Sequence, residues 1–352
     1  MRVGLICVAI SAAACAARQG APTTAKRGIE AAALPFHVLD RSGHQIDEAT
    51  FWQKLEAERA VCVGEEHPNP HHHWVQLDVV RHLAPHWHEL ALGMEMVQRP
   101  FQGVLDDFAA HKIDDDAMKA RTGWADRWGY DYNFYGPTIH AAIDAHASLL
   151  ALNAAKELTK KVVHHGLESL TPDEKAQLPE LVLDDKNHRA WFDSLMEDMG
   201  GTQAHSVKPP HDEKDGKPDD AKPDDKKAEP TPSPQHGDAA AEMPSADRIY
   251  TVQVIWDETM ADTAATWLKA HPEGHVVILA GGGHCHDSAI VGRMKRRGIG
   301  DVVSIRSVID DGEGAVADAM AKPMNDFYVV LELPPDVKRA MQKDAAAEDE
   351  KK

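Results

Sequence analysis

Six short apolar runs punctuate the chain: Ala60–Val63, Leu90–Met96, Leu149–Leu152, Val276–Ala280, Val302–Ile305 and Phe327–Leu333. Each is four to seven residues long and apolar on consecutive positions, which is the pattern of a strand buried on both faces. Between them lie stretches with apolar residues at helical spacing, at His72–Leu83, Thr138–Ala147, Asp185–Met199 and Val252–Ala270. Strands alternating with helices predict an α/β fold, a mostly parallel sheet flanked by helices.

The pattern fails at two places. Residues 201–247 are proline-rich, carry charges of both signs and hold almost no large apolar side chains. Such a segment buries too little surface to offset its ordering entropy, so it reads as a disordered linker. The 85 or so residues that follow are short for an independent domain. One domain is therefore expected, with a first part at 34–200, a second at 248–335 and a surface insertion between. Residues 336–352 read as a charged tail.

At the other end, Met1-Arg2 precedes an apolar stretch, Val3–Ile10, and then Ser11-Ala12-Ala13-Ala14-Cys15. A charged start, a short apolar core and small residues before a break read as an export signal over 1–15. The Ala-Ala-Ala-Cys ending resembles a bacterial lipobox with Cys15 as the lipidated residue; plain secretion and an uncleaved anchor are the alternatives. Residues 16–33 then form a tether. With Ala16 in place of Asp, analogy with other lipoproteins favours the outer membrane, attached through the lipid alone.

Composition narrows the function. At 43% hydrophobic and 27% charged the chain has ample core, and no interior run approaches the roughly 20 apolar residues of a membrane span. The net charge of −19 disfavours nucleic acid, a polyanion, as a partner. Histidine is in excess, with 22 copies, which directs attention to metal or haem.

The polar residues collect where the apolar runs end. Val61-Cys62-Val63 leads into Gly64-Glu65-Glu66-His67; Glu95 sits alone among apolar neighbours; Leu152 is followed by Asn153; Ala280 leads into Gly281-Gly282-Gly283-His284. Open parallel sheets form their sites outside the carboxyl ends of the strands. Glu65, His67, Glu95, Asn153 and His284 are thus expected to share one crevice. A G-x-x-H unit alone carries little information; two of them at the ends of buried runs, with acids nearby, favour a shared site. Imidazole with carboxylate suits zinc, manganese or iron, and Glu65, His67, Glu95 and His284 are the candidate metal ligands.

Other candidates are weaker. Asn69-Pro70 is a good helix start, so of His71, His72 and His73 one is expected to face the crevice and the others solvent. His82, His86, His88, His164 and His165 read as surface residues. Three of the five tyrosines, Tyr130, Tyr132 and Tyr135, crowd one segment with Trp128; they read as an aromatic cluster packing on the core, or as the source of a phenolate for ferric haem. Arg99, Arg121 and Arg127 are the cations that would favour a phenolate, or hold haem propionates. Gln253 and Asp257 share a helix face, as a solvated stripe or as residues orienting a histidine. Cys62 and Cys285 read first as small buried hydrophobes, with a disulfide as the alternative in an exported protein.

The strings Gly-Glu-Glu-His-Pro-Asn-Pro-His-His-His at 64–73 and Leu-Gly-Met-Glu-Met-Val-Gln-Arg-Pro-Phe-Gln at 92–102 resemble the ChaN family of haem-binding bacterial lipoproteins. So do Trp-Gly-Tyr-Asp-Tyr with Tyr135-Gly-Pro, Leu-Leu-Ala-Leu-Asn-Ala at 149–154, Trp-Asp-Glu-Thr-Met-Ala at 256–261 and Gly-Gly-Gly-His at 281–284. The resemblance implies an iron-uptake role, a homodimer holding haem between its subunits, and a tyrosine on the iron, with Tyr135 first and Tyr130 second. It also extends to Tiki-like proteins of the same superfamily. On that carry-over Glu65 or Glu95 would act as a catalytic base beside a divalent metal ion, making a metal-dependent hydrolase the rival reading.

Overall fold

The computed structural model describes residues 31–198, 244–335, 337 and 338. The export signal with Cys15, most of the tether, nearly all of the linker and most of the tail lie outside the described residues. From the amino end the elements are β1 (Phe36–Asp40), β2 (Gln45–Ile46), α1 (Glu48–Glu56), β3 (Ala60–Glu65), α2 (Pro70–Leu83) and β4 (Leu90–Gln98). There follow α3 (Gln102–Ala109), α4 (Asp115–Thr122), α5 (Trp124–Arg127), α6 (Tyr132–Asp144), β5 (Ser148–Asn153), α7 (Lys156–His165), α8 (Pro172–Lys175) and α9 (Lys186–Asp198). After the linker come α10 (Ala246–Ala270), β6 (His275–Gly281), α11 (Ile290–Arg296), β7 (Val302–Asp310), α12 (Ala315–Ala321) and β8 (Phe327–Glu332).

All eight strands form one sheet in the order β2-β1-β8-β7-β3-β6-β4-β5. It is parallel from β8 to β5, and only β1 runs against it, pairing antiparallel with both β8 and β2. The expected α/β sheet is therefore present, and each of the six apolar runs is a strand. The hairpin has no counterpart in the sequence reading: His37 and Asp40 interrupt its apolar pattern, and its partner β8 is nearly 300 residues away. β3 and β4 are buried at every position because helices cover both faces. One face carries a core of Phe51, Val75, Val79, Leu105 and Ile139 from α1, α2, α3 and α6; the other carries Met260, Ala264, Leu268, Ile290 and Met294 from α10 and α11.

The parallel sheet fixes the site. β6 lies between β3 and β4, with Glu65 in register with Gly281. The two halves of the chain on either side of the linker thus meet in adjacent strands, so neither half can complete the sheet alone. The helix after β3 begins where Asn69 caps it, its side chain accepting from the His71 and His72 amides. α6 starts six residues before the amphipathic stretch at Thr138, because Asp131 caps it from outside. No helix among the described residues is long and apolar enough to cross a membrane.

Candidate functional site

At the carboxyl edge of β3, β6 and β4 the five strand-end residues do converge. Glu65 is buried, and its Oε1 pairs with His67 Nδ1 at 2.6 Å. Glu95 emerges at a register shift in β4, where its Oε2 accepts the Gly281 amide at 2.6 Å and its Oε1 lies 3.3 Å from His284 Nε2. Asn153, at the end of β5, donates to the Glu95 carbonyl at 3.1 Å and so holds the backbone and not a ligand. Gly281 is required by space: a Cβ there would stand 3.1 Å from His67 Cε1. Replacing Gly281 by Ala is expected to push His67 a few tenths of an ångström off Glu65 and to weaken any ligand resting on His67 several-fold. Ligand affinity equal to wild type would show that His67 does not bear on binding.

Behind His284 the site continues into the core. His284 Nδ1 donates to Asp257 Oδ1 at 2.6 Å, Gln253 Nε2 lies 3.1 Å from the same nitrogen, and His188 Nε2 stands 3.0 Å from Asp257 Oδ2. Asp257 is therefore no solvated stripe: it is 0% exposed and orients His284. Burial opposes both charges, but Glu95 and Asp257 raise the His284 pKa to about 10, and His284 and Arg293 hold Asp257 well below the usual carboxylate range. Burial likewise opposes ionisation of Glu95, which His284, His67 and the Gly281 amide nevertheless keep low. For His67, burial acts against protonation and is overcome by its hydrogen bond to Glu65 and by the charge of Glu95, so its pKa is raised.

The crevice is thus arranged as two carboxylate–imidazole pairs, Glu65–His67 and Glu95–His284. Among the described residues these four do not gather three ligand atoms within chelating reach of one another; Glu56, His82 and His86 do. Glu65 Oε2 is buried without a hydrogen-bond partner, 3.9 Å from His73 Nε2.

The histidine triplet departs from expectation. Both His72 and His73 are buried, and only His71 stands partly outside. His73 bridges the His67 carbonyl at 2.9 Å and Gln76 at 3.1 Å. His72 Nδ1 accepts the Glu66 amide at 3.1 Å, and burial pushes its pKa down to about 3, which keeps that lone pair free. Each finds a partner in the turn before the helix, which a helical wheel does not reveal.

The tyrosines separate sharply. Tyr132 is buried and donates to Asp115 at 2.6 Å, an acid that also takes His140 Nε2 at 2.7 Å. Tyr135, the first choice from sequence, is 1% exposed. Its hydroxyl closes no hydrogen bond, although the Trp128 indole N–H lies close enough to act on it, and burial and then Glu65 drive its pKa up. Tyr130 is 38% exposed, its ring 4.5 Å from that of His67 and 5.4 Å from that of Trp128. Burial and the charges of Glu65 and Glu95 raise its pKa as well. Of the two candidates, Tyr130 is the one open to solvent, at the crevice mouth. Beyond it, a groove of about 170 Å³ runs between α2 and α6, lined by Trp74, Leu77, Phe134 and Pro137.

Each of the arginines has a partner in the structure. Arg99 reaches across to α10, bonding Thr263 and Asp262 at 2.7 Å each and the Thr259 carbonyl at 2.9 Å. Arg121 lies 3.9 Å from Asp107. Arg127 spans Gln98 and Glu157 at 2.6 Å each and covers the Phe101 ring. It is the one of these that borders the tyrosine segment at the end of β4.

Cys62 and Cys285 form a disulfide, Cα to Cα 5.4 Å, which corrects the reading of them as two separate buried thiols. It joins β3 to the loop that carries His284. Breaking it, by reduction or by changing both to Ala, is expected to cost about 2–4 kcal/mol, since it closes a long loop. A urea midpoint unmoved by reductant would contradict this; peptide mass spectrometry on unreduced protein should find neither cysteine alkylated.

His188 and Arg293 are the residues that sequence reading missed. His188 touches Asp257 across the linker, and Arg293 is fully buried against His188 and Glu258, at 3.2 Å each. Neither has a local signal, because their partners lie on other elements.

A family model described as haem-binding uptake, Tiki superfamily, ChaN, matches residues 51–294. Among solved structures, the chain is similar to that described as "Cofacial heme binding to ChaN of Campylobacter jejuni", at 14% identity and a TM-score of 0.57, covering 84% of this chain and 96% of that one. A second, the type III effector HopBA1, matches at 12% identity and a TM-score of 0.40, over 81% of this chain and 93% of that one. The first likeness shows the fold; the second supports no argument. No curated protein matches the sequence.

Proposed function

The chain belongs to the ChaN family of haem-binding uptake proteins in the Tiki superfamily, and from that premise we propose that it binds haem at the crevice mouth with Tyr130 on the iron. The observation that carries this reading is the exposed Tyr130 ring against His67, at the carboxyl edge where the strand-end residues converge. The donor set fits the group. Tyr130 offers a phenol, Trp128 and His67 offer aromatic surface beside it, and Arg127 offers a partly exposed guanidinium for a propionate. When bound, ferric haem supplies a Lewis acid able to hold a phenolate. Burial, and then the nearby Glu65 and Glu95, keep the Tyr130 proton in place until such a cation arrives. Tyr135 is a packing residue in this reading, and Arg99 a clamp on α10.

Two further parts of the proposal rest on sequence. The Cys15 lipobox supports export and a lipid-anchored outer-membrane location, and the family resemblance supports a homodimer with haem between subunits. Haemin titration followed by absorbance and size-exclusion chromatography tests the whole. A saturable Soret shift with a phenolate charge-transfer band and a doubling of mass are expected; no saturable shift would end the haem reading.

The rival, a metal-dependent hydrolase, draws on the unpartnered Glu65 Oε2 beside His67 and His73. Its difficulty is geometric. Glu95 is already engaged, its Oε2 by the Gly281 amide at 2.6 Å and its Oε1 3.3 Å from His284 Nε2. Among the described residues the four crevice side chains do not bring three ligand atoms together. His284→Ala separates the two: haem binding through Tyr130 survives it, whereas hydrolysis does not.

A further inference from the structure

We propose a second metal site, for a borderline divalent ion such as Zn²⁺, formed by Glu56, His82 and His86 at the opposite edge of the sheet from the crevice. One ligand atom from each lies within 4.8 Å of the others. Both imidazoles aim Nε2 at the same oxygen: His82 is 3.2 Å and His86 3.5 Å from Glu56 Oε1. That is the arrangement a bound ion would tighten, two nitrogens and one carboxylate oxygen around a common point. Two imidazoles and one carboxylate suit zinc, which takes this ligand set with water in the remaining position.

The three side chains are held before any ion arrives. Glu56 ends α1, and His82 lies in the last turn of α2. The His82 ring stacks on Trp52 of α1 with ring centroids 3.9 Å apart, which sets the direction of its nitrogens. His86 follows in the turn after α2, where its own amide bonds the Leu83 carbonyl and the Trp87 indole N–H donates to the Glu56 carbonyl at 3.1 Å. His86 is exposed and the other two half-buried, so an ion can enter from solvent. An ion here would clasp the end of α1 to the end of α2. It stands at the amino end of β3, whereas the crevice is at its carboxyl end, six residues or about 20 Å away.

The test is a calorimetric Zn²⁺ titration of the chelator-stripped full chain, with His86→Ala and Glu56→Gln alongside. Both positions are at the surface, and melting in chelator confirms that each variant folds. The wild type should bind one zinc that each variant loses or binds at least about tenfold more weakly, since even residues behind a metal's ligands are worth 10–100-fold. Saturating zinc should raise the melting temperature of the wild type and not of the variants. A loss of less than tenfold in both variants overturns the proposal, because the zinc would then be held by other histidines.

Discussion

Tyr130→Phe is expected to weaken haemin binding by about 100-fold, or ~2.7 kcal/mol, and to remove the phenolate charge-transfer band, while Tyr135→Phe changes affinity less than threefold. The asymmetry follows from access. An iron atom must reach the oxygen it binds, and Tyr130 is 38% exposed where Tyr135 is 1% exposed. Moving Tyr135 out would break its packing against His73, Trp124 and Trp128. Removing its hydroxyl in place deletes a buried group without a hydrogen-bond partner, a change that is near neutral or mildly stabilising. Tyr130→Phe, by contrast, keeps the aromatic contact with His67 and deletes only the ligand atom, so any loss reports on ligation. Haemin affinity of Tyr130→Phe equal to wild type, together with a loss in Tyr135→Phe, would mean that the segment opens on binding and that the family pattern around Tyr135-Gly-Pro outranks access.

The tyrosines also show how far the sequence was legible. Apolar runs identify six strands because a strand buried on both faces leaves an unbroken signature, and Glu65, His67, Glu95 and His284 can be placed in one crevice because parallel strands bring their carboxyl ends to one edge. Exposure within the aromatic segment was not legible. Tyr130, Tyr132 and Tyr135 have similar neighbours in sequence, and what separates them is the cap at Asp131, which puts two on a helix packed against α2 and leaves one before it. Asp257 stood undecided between solvent and core for a related reason: its partners His284 and His188 come from opposite sides of the linker. Residues whose role depends on a contact tens of positions away leave no local pattern. His82 and His86 read as surface; His86 is exposed and His82 half-buried, and that they meet Glu56 is a fact of how α1 packs on α2.

Asp257→Ala is expected to destabilise the fold by about 3–5 kcal/mol, the largest effect of any single substitution at the site. Among the described residues Asp257 is the only carboxylate touching both His188 and His284, and Arg293 lies 3.9 Å from it in the same buried space. Without it, His284 keeps one carboxylate, Glu95, and the Arg293 charge keeps Glu258, so two buried cations are left short of a partner. The pH dependence of stability should change with it. In the wild type the His284 pKa is raised to about 10, above the roughly 6.5 of an unfolded histidine. Its contribution is therefore complete below about pH 6.5 and fades as the pH rises toward 10. Asp257, held low, contributes above an unfolded value of about 4 and loses that contribution on acidification. Stability from this pair should peak between about pH 4 and 6.5 and decline on both sides. In Asp257→Asn, which keeps the shape and removes the charge, both limbs should flatten, and urea midpoints at pH 6 and pH 9 should converge. If the wild type instead gains stability up to about pH 6.5 and is level between about pH 7 and 9, His284 is neutral in the folded chain.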